Sequence, residues 1–235
     1  MRVPDIWAFA QAIRRQVLRS SHCGIVDVCA LAERTARVSI NDIAFRLVWD
    51  FEHGVHDENG RTVIGVCEYD PQEPGQVMLS INGEKTGRSP ELKRSTALHE
   101  LGHALFDMPA AVHAGRRCCL EFARAQAQRM LRVRTGSRVK GMDWQEWRAN
   151  EFMGAFLAPP VPFHQTLVRL ANEADMQLVN SPSFGKIGLP ILRGNRLDQD
   201  AFDAVLEFLA ETFGVTQEFA RVRITKYRLM TERTH

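Results

Sequence analysis

The sequence lacks any apolar run approaching the roughly 18 residues that a membrane span needs, and arginines interrupt the apolar residues of its N-terminal stretch MRVPDIWAFAQAIRRQVLRS. No signal core is present there, so a soluble, cytoplasmic protein is expected. Its five cysteines (Cys23, Cys29, Cys67, Cys118, Cys119) include no Cys-x-x-Cys pair and are odd in number, which argues against a disulfide framework and for reduced thiols. Internal repeats, coiled-coil heptads and low-complexity tracts are absent too, excluding solenoids and fibrous classes. Net charge is only +2, from 30 basic and 28 acidic residues. What remains is an ordinary globular composition: 235 residues, 45% hydrophobic, long enough to bury roughly 70% of the unfolded surface.

The small net charge hides an uneven distribution. Ala111 to Gly141 holds seven arginines and one lysine against the single acid Glu121, and an anionic partner would bind there. The first 37 residues read as two amphipathic helices that cover the rest, the second carrying Ile25, Val28, Cys29 and Ala32. From Ile43 the apolar period becomes two, through Phe45, Leu47, Trp49 and Phe51. Strands at Arg61–Tyr69 and Gln76–Ile81 follow, joined by the turn Asp70-Pro71-Gln72-Glu73-Pro74-Gly75. A small antiparallel sheet is expected, followed by a helical half.

Ser89-Pro90-Glu91 is a helix start, with Ser89 as cap, Pro90 at the first helical position and Glu91 complementing the dipole. That helix is predicted to reach Phe106, and another to span Asp143–Ala158 before Pro159-Pro160 stops it. Near the C-terminus, Asp198–Phe213 and Thr216–Met230 read as a helix pair joined at Gly214-Val215.

The helix from Ser89 carries His99-Glu100-Leu101-Gly102-His103, an H-E-x-x-H pattern. Residues four apart share a helical face, so both imidazoles can reach one metal ion, while Glu100 is placed to act on a water at that ion as general base. Zinc held by two histidines needs a third protein ligand. The metzincin spacing is excluded, because Phe106 and Pro109 stand where its glycine and histidine would be. The helix after Asp143 offers Glu146 and, about 140° round the helix, Glu151. Asn150 shares the Glu146 face and is placed to orient a histidine ring.

These residues resemble a known family. Thr96 to Leu105 (TALHELGHAL) and Glu146 to Phe152 (EWRANEF), the latter on a helix ending in proline, look like the motifs of the ImmA/IrrE zinc metallopeptidases. Leu209 to Thr216, followed by Ala220 and Arg223, is similar to the helix-turn-helix-like segment that follows the peptidase core there. The resemblance covers roughly Ile43 to Leu229 and implies an α+β, zincin-like core with active-site helices and a C-terminal helical lobe; the expected division is 1–180 for the core and 181–235 for the lobe, either as a small appended lobe or packed with the core as one unit. It implies Zn2+ held by His99, His103 and Glu146, with Glu100 as general base. It also implies endopeptidase cleavage of a helix-turn-helix repressor in a bacterial DNA-damage or phage- and plasmid-defence response.

Three further features have two readings each. Arg117 to Arg132 reads as a helix with Arg117, Glu121, Arg124, Gln128 and Arg132 on one stripe, either a solvated face or a surface on which Arg117, Arg124 and Arg132 contact single-stranded DNA as activator. Cys118 and Cys119 are either reduced thiols or an inhibitory latch, one sulfur taking the open position on zinc. The C-terminal helix pair, with Arg221, Arg223, Lys226, Arg228 and Arg233, either reads DNA or packs as a simple hairpin; in the former case the chain is a transcriptional regulator with a structural or inactive zinc site. His164, after the proline stop, is a candidate oxyanion stabiliser.

Overall fold

The computed structural model describes residues 1–18, 24–57, 60–122, 144–181, 188–194 and 197–231. The protein is mixed α/β, and among the described residues no helix is long and apolar enough to cross a membrane. It divides into two compact units, Met1–Arg19 with Val26–Phe156, and Ser20–Ile25 with Leu157–His235.

The first unit is organised by five strands, β1 (Arg37–Ile40), β2 (Ile43–Asp50), β3 (Gly65–Tyr69), β4 (Gln76–Ile81) and β5 (Cys118–Phe122), in the order β1-β2-β4-β3-β5. Asn41 and Asp42 both take positive φ in the tight β1–β2 turn, a conformation these two residue types tolerate well. The expected β3–β4 hairpin forms, with Gly75 at φ 78° ending its turn. The expectation of a wholly antiparallel sheet is corrected, because β2 and β4 pair in parallel, Leu47 opposite Val77 and Trp49 opposite Leu79. Alternation fixes which face of a strand is buried and leaves the direction of its neighbour open. Here the hairpin docks on β2 through its second strand, so the segment between β2 and β3 must return across the end of the sheet. Asn82 holds that return, donating from Nδ2 to the carbonyls of Val55 (3.3 Å) and Val63 (2.9 Å).

The basic helix expected from Arg117 to Arg132 is also corrected at its start. Cys118–Phe122 is strand β5, antiparallel to β3 with Tyr69 opposite Cys118 and Cys67 opposite Leu120. The open edge of β3 supplies backbone donors and acceptors, and pairing with them overrides the local helical pattern. Arg124 and Arg132 lie outside the described residues.

Six helices complete the description of this unit: α1 (Val3–Val17), α2 (Val28–Arg34), α3 (Gly83–Thr86), α4 (Pro90–Phe106), α5 (Met108–Ala114) and α6 (Trp144–Leu157). Ser89 caps α4 as expected, its hydroxyl accepting from the Leu92 amide at 3.2 Å. α4 lies against β3 and β4. α1 covers α4 and α6: Phe9 packs on Phe106 and Phe152, with ring centroids 5.3 and 6.2 Å away, and Arg14 donates to the Phe156 carbonyl at 2.6 Å.

The second unit contains α7 (Pro160–Glu173), the hairpin β6 (Leu178–Ser181) and β7 (Leu189–Leu192), and the helices α8 (Gln199–Phe213) and α9 (Gln217–Lys226). Asp198 and Thr216 cap α8 and α9, and Gly214 takes φ 62° between them. Phe163 packs on Phe213 and Tyr227, and the Tyr227 hydroxyl donates to the Ala158 carbonyl at 2.7 Å. The boundary expected at residues 180 and 181 falls inside this unit, within the β6 strand of that hairpin.

Candidate metal centre

Every α4 residue from Thr96 to Leu105 is buried. An amphipathic site helix buries its Leu98, Leu101 and Leu105 face in the core, so a second element must cover the polar face. That element is α6. Gly102 makes the close crossing possible, since a Cβ there would stand 2.9 Å from the Ala149 Cα. This crossing brings Glu146 over the two histidines.

His99 Nε2 and His103 Nε2 are 3.1 Å apart, Glu146 Oε1 is 3.1 Å from His103 Nε2, and Glu146 Oε2 is 3.4 Å from His99 Nε2. Three atoms each about 2.0–2.1 Å from one ion, at tetrahedral angles, would lie about 3.3–3.4 Å apart. The donors therefore stand at nearly the spacing that one small ion requires. Among the described residues these three form the buried group able to hold a metal ion. Two imidazoles and a carboxylate suit a first-row ion in a tetrahedral site with one position left for water or substrate.

The surrounding contacts orient the donors. His103 Nδ1 donates to Asp107 Oδ2 at 2.9 Å, and Arg148 bonds the other Asp107 oxygen. Sequence reasoning missed Asp107, although its position four residues beyond His103 on the same face is a usable signal. Asn150 donates from Nδ2 to the Glu146 carbonyl at 2.7 Å, on the helix that carries Glu146 over the histidines. Glu151 points elsewhere, accepting from the Trp7 indole at 3.0 Å.

Glu100 is fully buried, and neither of its carboxylate oxygens has a hydrogen-bond partner among the described residues. Gly65 admits it: a Cβ at that position would lie 2.6 Å from Glu100 Oε1 and 2.7 Å from the Thr96 methyl. Burial raises the Glu100 carboxyl to about 8 and lowers His99 to about 4. For His103 burial acts downward, but the hydrogen bonds its ring donates to Asp107 and Glu146 outweigh it and hold the ring at about 10. Burial pushes Glu146 upward, yet its bonds to His103 and His99 bring it down to about 2.

Neither Cys118 nor Cys119 belongs to the set of possible metal donors. Alternation places Cys118 on the sheet face of Cys67 and Tyr69, while Cys119 packs on the opposite face with Val55, Val63 and Val66. Arg117 pairs with Glu68 at 3.0 Å. His164 Nε2 donates to the Pro190 carbonyl at 2.8 Å within the second unit.

No protein-family model matches the chain, and no curated protein matches it.

Proposed function

We propose that the protein is a zinc-dependent endopeptidase with a zincin-like core, and that its substrate is a helix-turn-helix repressor. The observation that carries the reading is Glu100, a buried carboxylate without a hydrogen-bond partner among the described residues, one residue along the chain from a donor in a buried His99–His103–Glu146 group. A structural zinc site has no use for such a group, whereas hydrolysis of an amide needs a base beside the reacting water. The substrate class rests on the likeness of the His99–His103 and Glu146–Phe152 motifs to the ImmA/IrrE peptidases.

His99, His103 and Glu146 would hold the metal, and Asp107 and Asn150 would keep the two rings turned toward it. Zinc bound there supplies Lewis acidity to the scissile carbonyl and makes water a stronger acid. Glu100 takes the proton of the attacking water and later returns it to the leaving amine. Incubation of the zinc-loaded protein with a helix-turn-helix repressor tests the reading: the wild type cleaves, and Glu100→Gln keeps zinc and does not. Unchanged proteolysis by that variant would sink the mechanism.

A further inference from the structure

The two helices that would share the metal are far apart in sequence, His103 and Glu146 being 43 residues distant. A long connection does little to fix the relative position of its ends, since closure entropy grows only slowly with length. Something else must hold α6 in place on α4 to the fraction of an ångström that a metal centre demands. The Gly102–Ala149 crossing sets how close the helices come. It leaves sliding and rotation about the crossing less constrained.

Asp107 directly follows α4, and its side chain is only 2% exposed. Both of its oxygens are occupied, one by His103 Nδ1 and the other by Arg148 on α6. Arg148 lies over the Phe106 ring, 5.8 Å from its centroid, so the residue preceding Asp107 also steadies the guanidinium. Arg148 stands two positions beyond Glu146 on α6. The contacts therefore close a ring through both helices: Glu146 to His103, His103 to Asp107, Asp107 to Arg148, and back along α6 to Glu146.

We propose that the Asp107–Arg148 pair is a strut that registers α6 on α4 and so sets the affinity of the His99–His103–Glu146 group for its metal. Asp107 and Arg148 are positioning residues, and the inference rests on the reading of that group as a metal centre. A strut differs from a local electrostatic effect in the sign of one result. Removing a positive charge near a cation site strengthens cation binding by Coulomb's law alone, whereas removing a strut weakens it.

The test measures the zinc dissociation constant by competition with a chromophoric chelator. Asp107→Ala is expected to weaken binding by about 10- to 100-fold, the range for loss of a ligand's hydrogen-bond partner. Arg148→Met weakens it several-fold, and Arg148→Lys recovers part of the loss. In an Asp107→Asn background, where the His103 acceptor remains but the charged partner of Arg148 is gone, Arg148→Met adds less than a factor of about two. Tighter or unchanged binding in Arg148→Met overturns the strut, as does an undiminished effect in the Asp107→Asn background. Should Asp107→Ala fail to fold, the Asp107→Asn and Arg148→Met cycle decides by itself. A wild type that binds zinc but cleaves no repressor ends the peptidase reading and leaves the strut to be judged by these affinities. A wild type that takes up no zinc overturns both.

Discussion

The helix pair α4–α6 and the helix pair α8–α9 bury different kinds of charged residue, carboxylates and histidines in the first and an arginine among aromatic rings in the second. In α8–α9 the charges are engaged within the second unit: Arg221 bonds Asp203 at 2.9 Å and lies over Phe202, and Arg223 is buried over Phe219 and Tyr227. In α4–α6 two histidines and two glutamates are buried together, and one glutamate has both oxygens without a partner among the described residues. A buried polar group left without a hydrogen bond costs about 1–3 kcal/mol, and more when charged. Such a cost is retained where chemistry requires the group.

The sharpest way to break this contrast is to remove the donors. Alanine at His99, His103 or Glu146 is expected to reduce zinc from about one ion per chain to near zero, because three protein ligands are needed to hold a catalytic zinc firmly. Glu151→Ala should keep its metal, since the Glu151 carboxylate is directed to Trp7. Elemental analysis of the purified variants decides between them. Full occupancy in Glu146→Ala with loss in Glu151→Ala would mean that the other carboxylate is the ligand.

Glu100→Gln comes next. Cleavage should fall by at least about 10²-fold, the usual contribution of a general base, with zinc content unchanged. The same variant probes the folding cost in the metal-free protein. The Glu100 carboxyl sits near 8, above its ordinary value of 4.5, so between those limits the folded state holds a proton that the unfolded state has lost. Wild-type stability should therefore decline across that window as pH rises, and the decline from this group disappears in Glu100→Gln. By pH 8 the difference in pH dependence should amount to a few kcal/mol, on the order set by about 1.4 kcal/mol for each pKa unit. Denaturant unfolding of both proteins at pH 5 and pH 8 measures it; parallel profiles would show that Glu100 is better solvated than its surroundings indicate.

A smaller effect tests the crossing itself. Gly102→Ala sets a methyl group against the Ala149 backbone, and α6 must withdraw by some tenths of an ångström. The expected cost is about 1–3 kcal/mol of stability, together with weaker zinc binding because Glu146 moves with the helix. Thermal unfolding with and without zinc separates the two consequences. Unchanged zinc affinity in a destabilised variant would show that the crossing supports the fold without setting the ligands.

Much of this was legible in the chain. Ser89 and Pro90 announce the start of α4, Gly214 and Thr216 announce the α8–α9 connection, and H-E-x-x-H names the two buried histidines and the buried glutamate between them, because each signal is local and depends on one element's period or cap. The parallel pairing of β2 with β4 was not legible, since it depends on which edge of a hairpin docks. Strand β5 was hidden for the same reason: Cys118 to Phe122 carries a helical pattern that only the edge of β3 overrides. Asp107 had the right spacing from His103, but its partnership with Arg148 joins residues 41 apart, and no local rule reaches that far. The role of Gly102 likewise depends on Ala149, which sequence spacing does not bring near.

The smallest expected effect lies in the other helix pair. Arg221 and Asp203 are roughly half exposed, with side-chain accessibilities of 44% and 49%. Ion pairs of this kind contribute about 0–1 kcal/mol, because water screens the charges and both long side chains lose freedom in pairing. Arg221→Ala should therefore shift unfolding by no more than about 1 kcal/mol, including the guanidinium's contact with Phe202, and should leave zinc content as it was. Set beside Arg148→Met, it compares two arginine–aspartate pairs that differ chiefly in burial of the acid and in what that acid touches: Asp107 holds buried His103, whereas Asp203 meets Arg221 and the Gln199 amide. If Arg221→Ala reduced zinc retention as much as Arg148→Met, the distinction between the two arginine–aspartate pairs would fail. A small loss of stability at constant zinc content would instead locate the metal-setting contacts in the α4–α6 pair.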